Sequence, residues 1–278
     1  MGRRGWIIFC LPAAALFTAF WIVPMALLAA LGLEDRDGRS AYWLVLTEPL
    51  YWRSLVNTVV LSLAATLATL LLALPAGRFL ARHQHFRGRG VLMAMLTFPL
   101  AFPGVVVGFL VILLMGRQGL LTSLQTWVGA EPRAYAYGMI GLFVGYLYFS
   151  LPRCVGVLTA AAEKIDPALL DAGRTLGAGA WRRFVDIELP ALRPALIGSG
   201  AMSFATSMGA FGTAFTLATQ INVLPLTIYN EFTNYANLPV AAALSVLLGI
   251  ATWAVLYVAH GFAEGRGDSG RKSRRGEA

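Results

Sequence analysis

Six stretches of this chain, 6–32, 55–77, 91–115, 137–159, 195–219 and 240–263, are apolar over lengths that reach or exceed the roughly 20 residues a helix needs to cross a bilayer. No other feature limits the fold so strongly. A backbone in lipid finds no water to bond and must satisfy its N–H and C=O groups within itself, which a helix does inside one segment. The chain is therefore expected to be an all-α integral membrane protein of six transmembrane helices. Composition agrees, because 58% hydrophobic residues and a mean hydropathy of +0.67 leave too little polar surface for a water-soluble domain. The first run follows a basic start, as a signal sequence would. It is about twice as long as a signal's apolar core, so it is expected to remain an uncleaved span.

The net charge of +8 invites a nucleic-acid partner, and its placement argues against one. With the amino terminus inside, the inner segments hold 17 of the 22 basic residues. The outer segments hold only Arg36, Arg39, Arg53, Arg117 and Arg133. That asymmetry sets orientation and attracts anionic lipid, so both termini are expected in the cytoplasm and membrane lipid is the partner of the charge. Cys10 and Cys154 fall near inner ends of spans and read as packing residues. His83, His85 and His260 have no metal-ligand spacing, so no metal is expected.

Two spans are unlike the rest. The third contains Pro99 and Pro103, which break or kink a helix, followed by Gly104 and Gly108. The fifth, 195–219, is flecked with hydroxyls and small residues and carries no charge. It is expected to face the protein interior. Asn57, Ser203, Ser207 and Thr213 are the residues expected to line a path. No charge is expected at mid-membrane, so a proton or sodium relay lacks its titrating groups. The chain has no Gly-rich phosphate loop ending in Gly-Lys-Ser/Thr and no constellation of acid, base and nucleophile, so neither ATP binding nor catalysis is expected of it.

Between the fourth and fifth spans lies a polar stretch, 163–194, that reads as two short helices. Asp166 can cap a helix beginning at Pro167, Gly177 can take the left-handed turn after it, and a second helix from Ala180 to Leu189 is expected to stop at Pro190. Within it Asp171-Ala172-Gly173, three residues, Gly177, nine residues, then Ile187-Glu188-Leu189-Pro190 resembles the E-A-A, three, G, nine, I-x-L-P signature of permease subunits of binding-protein-dependent type I ABC importers. Asp171 stands for the usual Glu, and Gly173 for the second Ala.

The resemblance implies a division of labour. A separate ATPase subunit would bind ATP and receive this coupling element in a groove. Gly177 would permit the bend, Ala172 and Gly173 a close approach, and Ile187, Leu189 and Pro190 would seat the second helix at the membrane. It also implies a bacterial inner membrane, a second permease subunit, identical or homologous, completing the pathway, and an external solute-binding protein. The chain then divides into a first span and outer loop (1–54), a transmembrane domain (55–263) and a basic tail expected to be disordered (264–278). Polyamine, ferric ion and phosphonate are the solutes the layout suggests. In the polyamine and ferric-iron branch an acidic residue often stands near the turn at 209–212, where this chain has Ala210 and Phe211. A channel or membrane scaffold without an ATPase is the alternative, and it leaves the spacing from Asp171 to Pro190 unexplained.

Overall fold

The computed structural model describes residues 11–33, 40–219 and 221–264, and no β-strand occurs among them. Arg3, Arg4, Cys10, the outer arginines Arg36 and Arg39 and the tail beyond Glu264 lie outside the described residues. Among the described residues five helices are long and apolar enough to cross a membrane: Leu11–Leu31, Pro49–Arg82, Gly104–Trp127, Met139–Ala162 and Leu238–Ala259. The chain divides into two compact units, residues 1–56 with 222–250 and residues 57–221 with 251–278.

In the first unit, helix α1 (Leu11–Leu31) presents apolar side chains such as Phe20 and Trp21 to the exterior along its length. A short helix, α2 (Ala41–Thr47), follows it. The Tyr42 hydroxyl of α2 donates to Ala29 O at 3.0 Å, and its ring covers Gly32 so closely that a Cβ there would stand 2.7 Å from it. Helix α3 (Pro49–Arg82) begins in this unit. There the Tyr51 hydroxyl donates to buried Glu231 at 3.0 Å, and Thr227 donates to Ser54 at 3.1 Å. Glu231 and Thr227 belong to α11 (Leu224–Thr233), which precedes α12 (Leu238–Glu264).

The second unit holds the remaining 26 residues of α3, counted from Asn57 to Arg82, then α4 (Arg89–Thr97) with a 3₁₀ turn over Phe98–Ala101, α5 (Gly104–Met115), α6 (Leu120–Trp127) and α7 (Met139–Ala162). The expected break in the third apolar run occurs at Phe102-Pro103, where the backbone turns extended before α5 starts. Helix α8 (Pro167–Thr175) is followed by a continuous helix α9 over 180–208 and then α10 (Phe211–Leu217). The fifth apolar run is thus also divided, at Gly209-Ala210, where Phe211 N–H bonds Gly209 O at 2.8 Å.

Glycines let α10 sit deep between its neighbours. A Cβ on Gly108 of α5 would overlap Thr216, and one on Gly145 of α7 would stand 2.6 Å from Thr213 Cγ2. Beneath them Ala73, Leu80, Cys154, Val155 and Leu158 form an apolar cluster.

One expectation fails. The second helix of the 163–194 stretch does not stop at Pro190; α9 runs through Pro190 and Pro194 to Met208. The physical reason is a π-turn over Phe184–Glu188, in which Leu189 N–H bonds Phe184 O instead of a residue four back. Widening the helix just before a proline relieves the clash of its ring with the preceding turn. The same device appears in α1, where a π-turn over Thr18–Ile22 precedes Pro24.

Candidate functional site

The 163–194 stretch folds by the local chemistry the sequence offered. Asp166 Oδ1 accepts from Ala168 N–H at 2.9 Å, with Pro167 opening α8. At the other end Ala178 N–H bonds Gly173 O and Gly177 N–H bonds Arg174 O, both at 2.9 Å. That pair of bonds closes the helix end around a left-handed residue, Gly177 at φ +77°. Helix α8 then folds back onto α9. Gly173 is buried there, and a Cβ in its place would stand 3.1 Å from Ile187 Cδ1, so the absence of a side chain sets how closely the two helices approach. The Asp171–Arg174 pair at 2.8 Å is exposed and adds little. Ala172 and Pro190 are exposed, and Ile187 and Leu189 are partly buried. Apolar side chains remain bare on the outer surface: Leu169 is 56% exposed, Trp181 75% and Leu176 86%.

Sequence reasoning missed what anchors this stretch. Glu188, 3% exposed, accepts from Arg78 Nε at 2.7 Å and from Arg82 Nη2, both on α3. Arg78 also lies over the Phe184 ring, 4.0 Å from its centre. Burial pushes the Glu188 carboxyl up, but the hydrogen bonds and charges of Arg78 and Arg82 outweigh it and hold the pKa below the usual carboxylate value. Two arginines four apart on one helix face were visible in the sequence. Their partner, more than a hundred residues away, was not.

The two broken helices meet in a cavity of about 350 Å³ whose lining includes Phe102, Gly104, Arg153, Thr206, Ala210, Phe211 and Thr213. Thr213, buried, donates to Gly104 O at 3.1 Å and so joins one break to the other. Arg153 lies within α7, nine residues before its end, about 14 Å along the helix from that end. Its Nη1 donates to Thr206 Oγ1 at 3.1 Å. Of the other residues expected on a path, Ser203 and Ser207 are buried with hydroxyls that have no hydrogen-bond partner among the described residues. They stand outside the cavity lining, and Asn57 lies partly buried on α3. Among the described residues no group of three or more His, Cys, Asp or Glu side chains could hold a metal ion.

Several helices long enough to cross a membrane, two apolar runs broken around a cavity and a compact helical stretch anchored by buried charge are parts that suit a membrane transport component. Residues 73–264 match the family described as the binding-protein-dependent transport system inner membrane component, and the chain belongs to that family. It is a multi-pass inner-membrane permease of a binding-protein-dependent ABC importer. Relatives include the molybdenum transport system permease protein ModB of Escherichia coli K12, 36% identical over 64% of this chain and 76% of that protein. The spermidine/putrescine permease protein PotB of the same organism is 27% identical over 86% of this chain and 90% of its own length. A bacterial ABC transporter that imports the acidic polysaccharide alginate shares the fold, with a TM-score of 0.75 at 19% identity over 95% of this chain and 97% of that one.

Proposed function

We propose that this chain forms half of a translocation pathway working by alternating access, and that a separate ATPase drives it through the stretch from Asp171 to Pro190. The observation that carries this reading is the bare apolar surface of Leu169, Leu176 and Trp181 on a stretch tied through Glu188 to α3. Exposed apolar groups on a small charged element suit a protein partner. The buried ion pair gives a push on that element a direct route into a membrane-crossing helix. In this reading six crossings leave both termini in the cytoplasm, with 89–115 and 189–217 as the two divided ones. Gly177 provides the bend, Ala172 and Gly173 allow the helices to lie close, and Ile187, Leu189 and Pro190 seat α9.

The partners are ATPase subunits that bind the ATP, a second permease subunit, identical or homologous, an external solute-binding protein, and lipid. The alginate transporter was solved with its oligosaccharide-bound periplasmic protein, which supports the last protein partner by analogy of fold. The cargo is a small solute; relatives are named for molybdenum, thiamine and spermidine/putrescine.

The test replaces both Leu176 and Trp181 by Asp. The double variant is expected to insert in the membrane as the parent does, to lose copurification with the ATPase and to lose ATP-dependent uptake. Uptake by the purified permease with no nucleotide hydrolase present would overturn the proposal in favour of a channel.

A further inference from the structure

The second unit contains six acidic residues between positions 57 and 221, and every one is engaged away from the helix breaks. Glu131 pairs with Arg133, Glu163 with Arg89, Asp171 with Arg174, Asp186 with Arg182 and Glu188 with Arg78 and Arg82, while Asp166 caps α8. Outside the 163–194 stretch, two arginines line cavities without an ion pair among the described residues. Arg153 lines the cavity at the N-terminal end of α10, with Thr206 as its hydrogen-bond partner. Arg117 lines a second cavity of about 530 Å³ together with Thr219, just beyond the other end of α10, and its guanidinium lies 5.9 Å from the centre of the Tyr137 ring. Helix α10 is seven residues long, about 10 Å, so two uncompensated cations flank one short helix. An arginine kept within a membrane helix without a counter-ion is costly and marks an ion or substrate path. Its planar fork matches the oxygens of a tetrahedral oxyanion.

We infer that the cavity formed by Arg153, Thr206 and the two helix breaks is a subsite for a small tetrahedral oxyanion, free or as the phosphonate-like head of a small solute, with Arg117 drawing the anion toward it. The inference rests on the permease reading and narrows its cargo. The position near Ala210 supplies no carboxylate for a cation, and Arg153 repels one. Polyamine and ferric ion therefore do not fit this cavity, whose volume accommodates a small anion with part of its water shell.

The experiment uses the full-length chain carrying Cys10→Ala and Cys154→Ala, in phosphatidylcholine nanodiscs, with Ala210→Cys as a single reporter on the cavity lining. Phe211→Cys, exposed on the same lining, is a second reporter should the first fold poorly. Rates of modification by an anionic and a cationic thiosulfonate reagent are compared after normalising each to a free thiol. The anionic reagent is expected to react at least about tenfold faster, and sulfate, phosphate or molybdate to slow it. Arg153→Ala removes both effects, Arg153→Lys keeps the charge preference, and Arg117→Ala reduces it less. Equal rates for the two reagents, a preference that survives Arg153→Ala, or the absence of protection by all three anions would overturn the subsite. So would protection that appears only when phosphatidylglycerol is added to the discs, since the site would then belong to a lipid headgroup. No nucleotide or ATPase takes part, so failure here leaves the ATP-driven reading intact, and failure of coupling leaves this result intact.

Discussion

Arg78 and Arg82 at the end of α3 and Arg153 in α7 are the same side chain put to opposite uses. The first two close on buried Glu188 and fix the angle at which α9 leaves the 163–194 stretch. Among the described residues Arg153 has a threonine hydroxyl as its hydrogen-bond partner and no ion pair, and it faces a cavity. A charge with its counter-ion in place holds a structure together; a charge without one is available to something that arrives. The contrast predicts that the two sites respond differently to the loss of a charge.

Glu188→Ala should have the largest effect. It strands two guanidinium groups, and because both keep some access to water the expected loss is about 2–3 kcal/mol, under the roughly 3–5 of a fully buried pair. Thermal unfolding in detergent measures it, and a double-mutant cycle with Arg78→Gln should show strong coupling; additive effects would mean that the clamp is ornamental. Gly177→Ala comes next. A side chain at φ +77° costs about 1–2 kcal/mol, seen as a lower unfolding temperature with insertion unchanged. Arg153→Gln should cost nothing in stability or raise it by up to about 1 kcal/mol, since it removes an uncompensated charge from within a span. A loss comparable to that of Glu188→Ala would erase the distinction between the two arginine sites.

The smallest effect is in pH. Glu188 has a depressed folded pKa, so the clamp contributes fully above the unfolded carboxylate value and weakens only as pH falls through the lower folded one. The stability gap between parent and Glu188→Ala should therefore stay constant from about pH 6 to 8 and narrow only below about pH 4. A gap that changes near neutrality would point to a different titrating group.

The two regions were also unequally legible in the sequence. The polar stretch could be read almost residue by residue, because its determinants are local: Asp166 bonds a backbone two positions on, and Gly177 turns where a helix has just ended. The rule that failed there was the proline stop at 190, since a proline ends a helix only when the turn before it cannot widen. Glu188 was invisible as an anchor because its partners are distant in the chain. In the third apolar run Pro99 and Pro103 announced the break. The break at Gly209-Ala210 follows from no proline and depends on how α10 fits between Gly108 and Gly145. Arg153 was counted with the cytoplasmic charges because composition does not show what a side chain meets. Its partner Thr206 stands 53 residues further along the chain, on another helix.

The π-turn at Phe184–Glu188 carries one residue more than an α-helix would use over the same rise, and so fixes the rotational phase between the two halves of α9. Before it the helix lays Arg183 against Gly173 of α8, and beyond it the helix aims Thr206 at Arg153. Deleting Val185 would restore regular winding and swing everything downstream by about 100° in azimuth, leaving the two ends of one rod unable to keep both appointments at once.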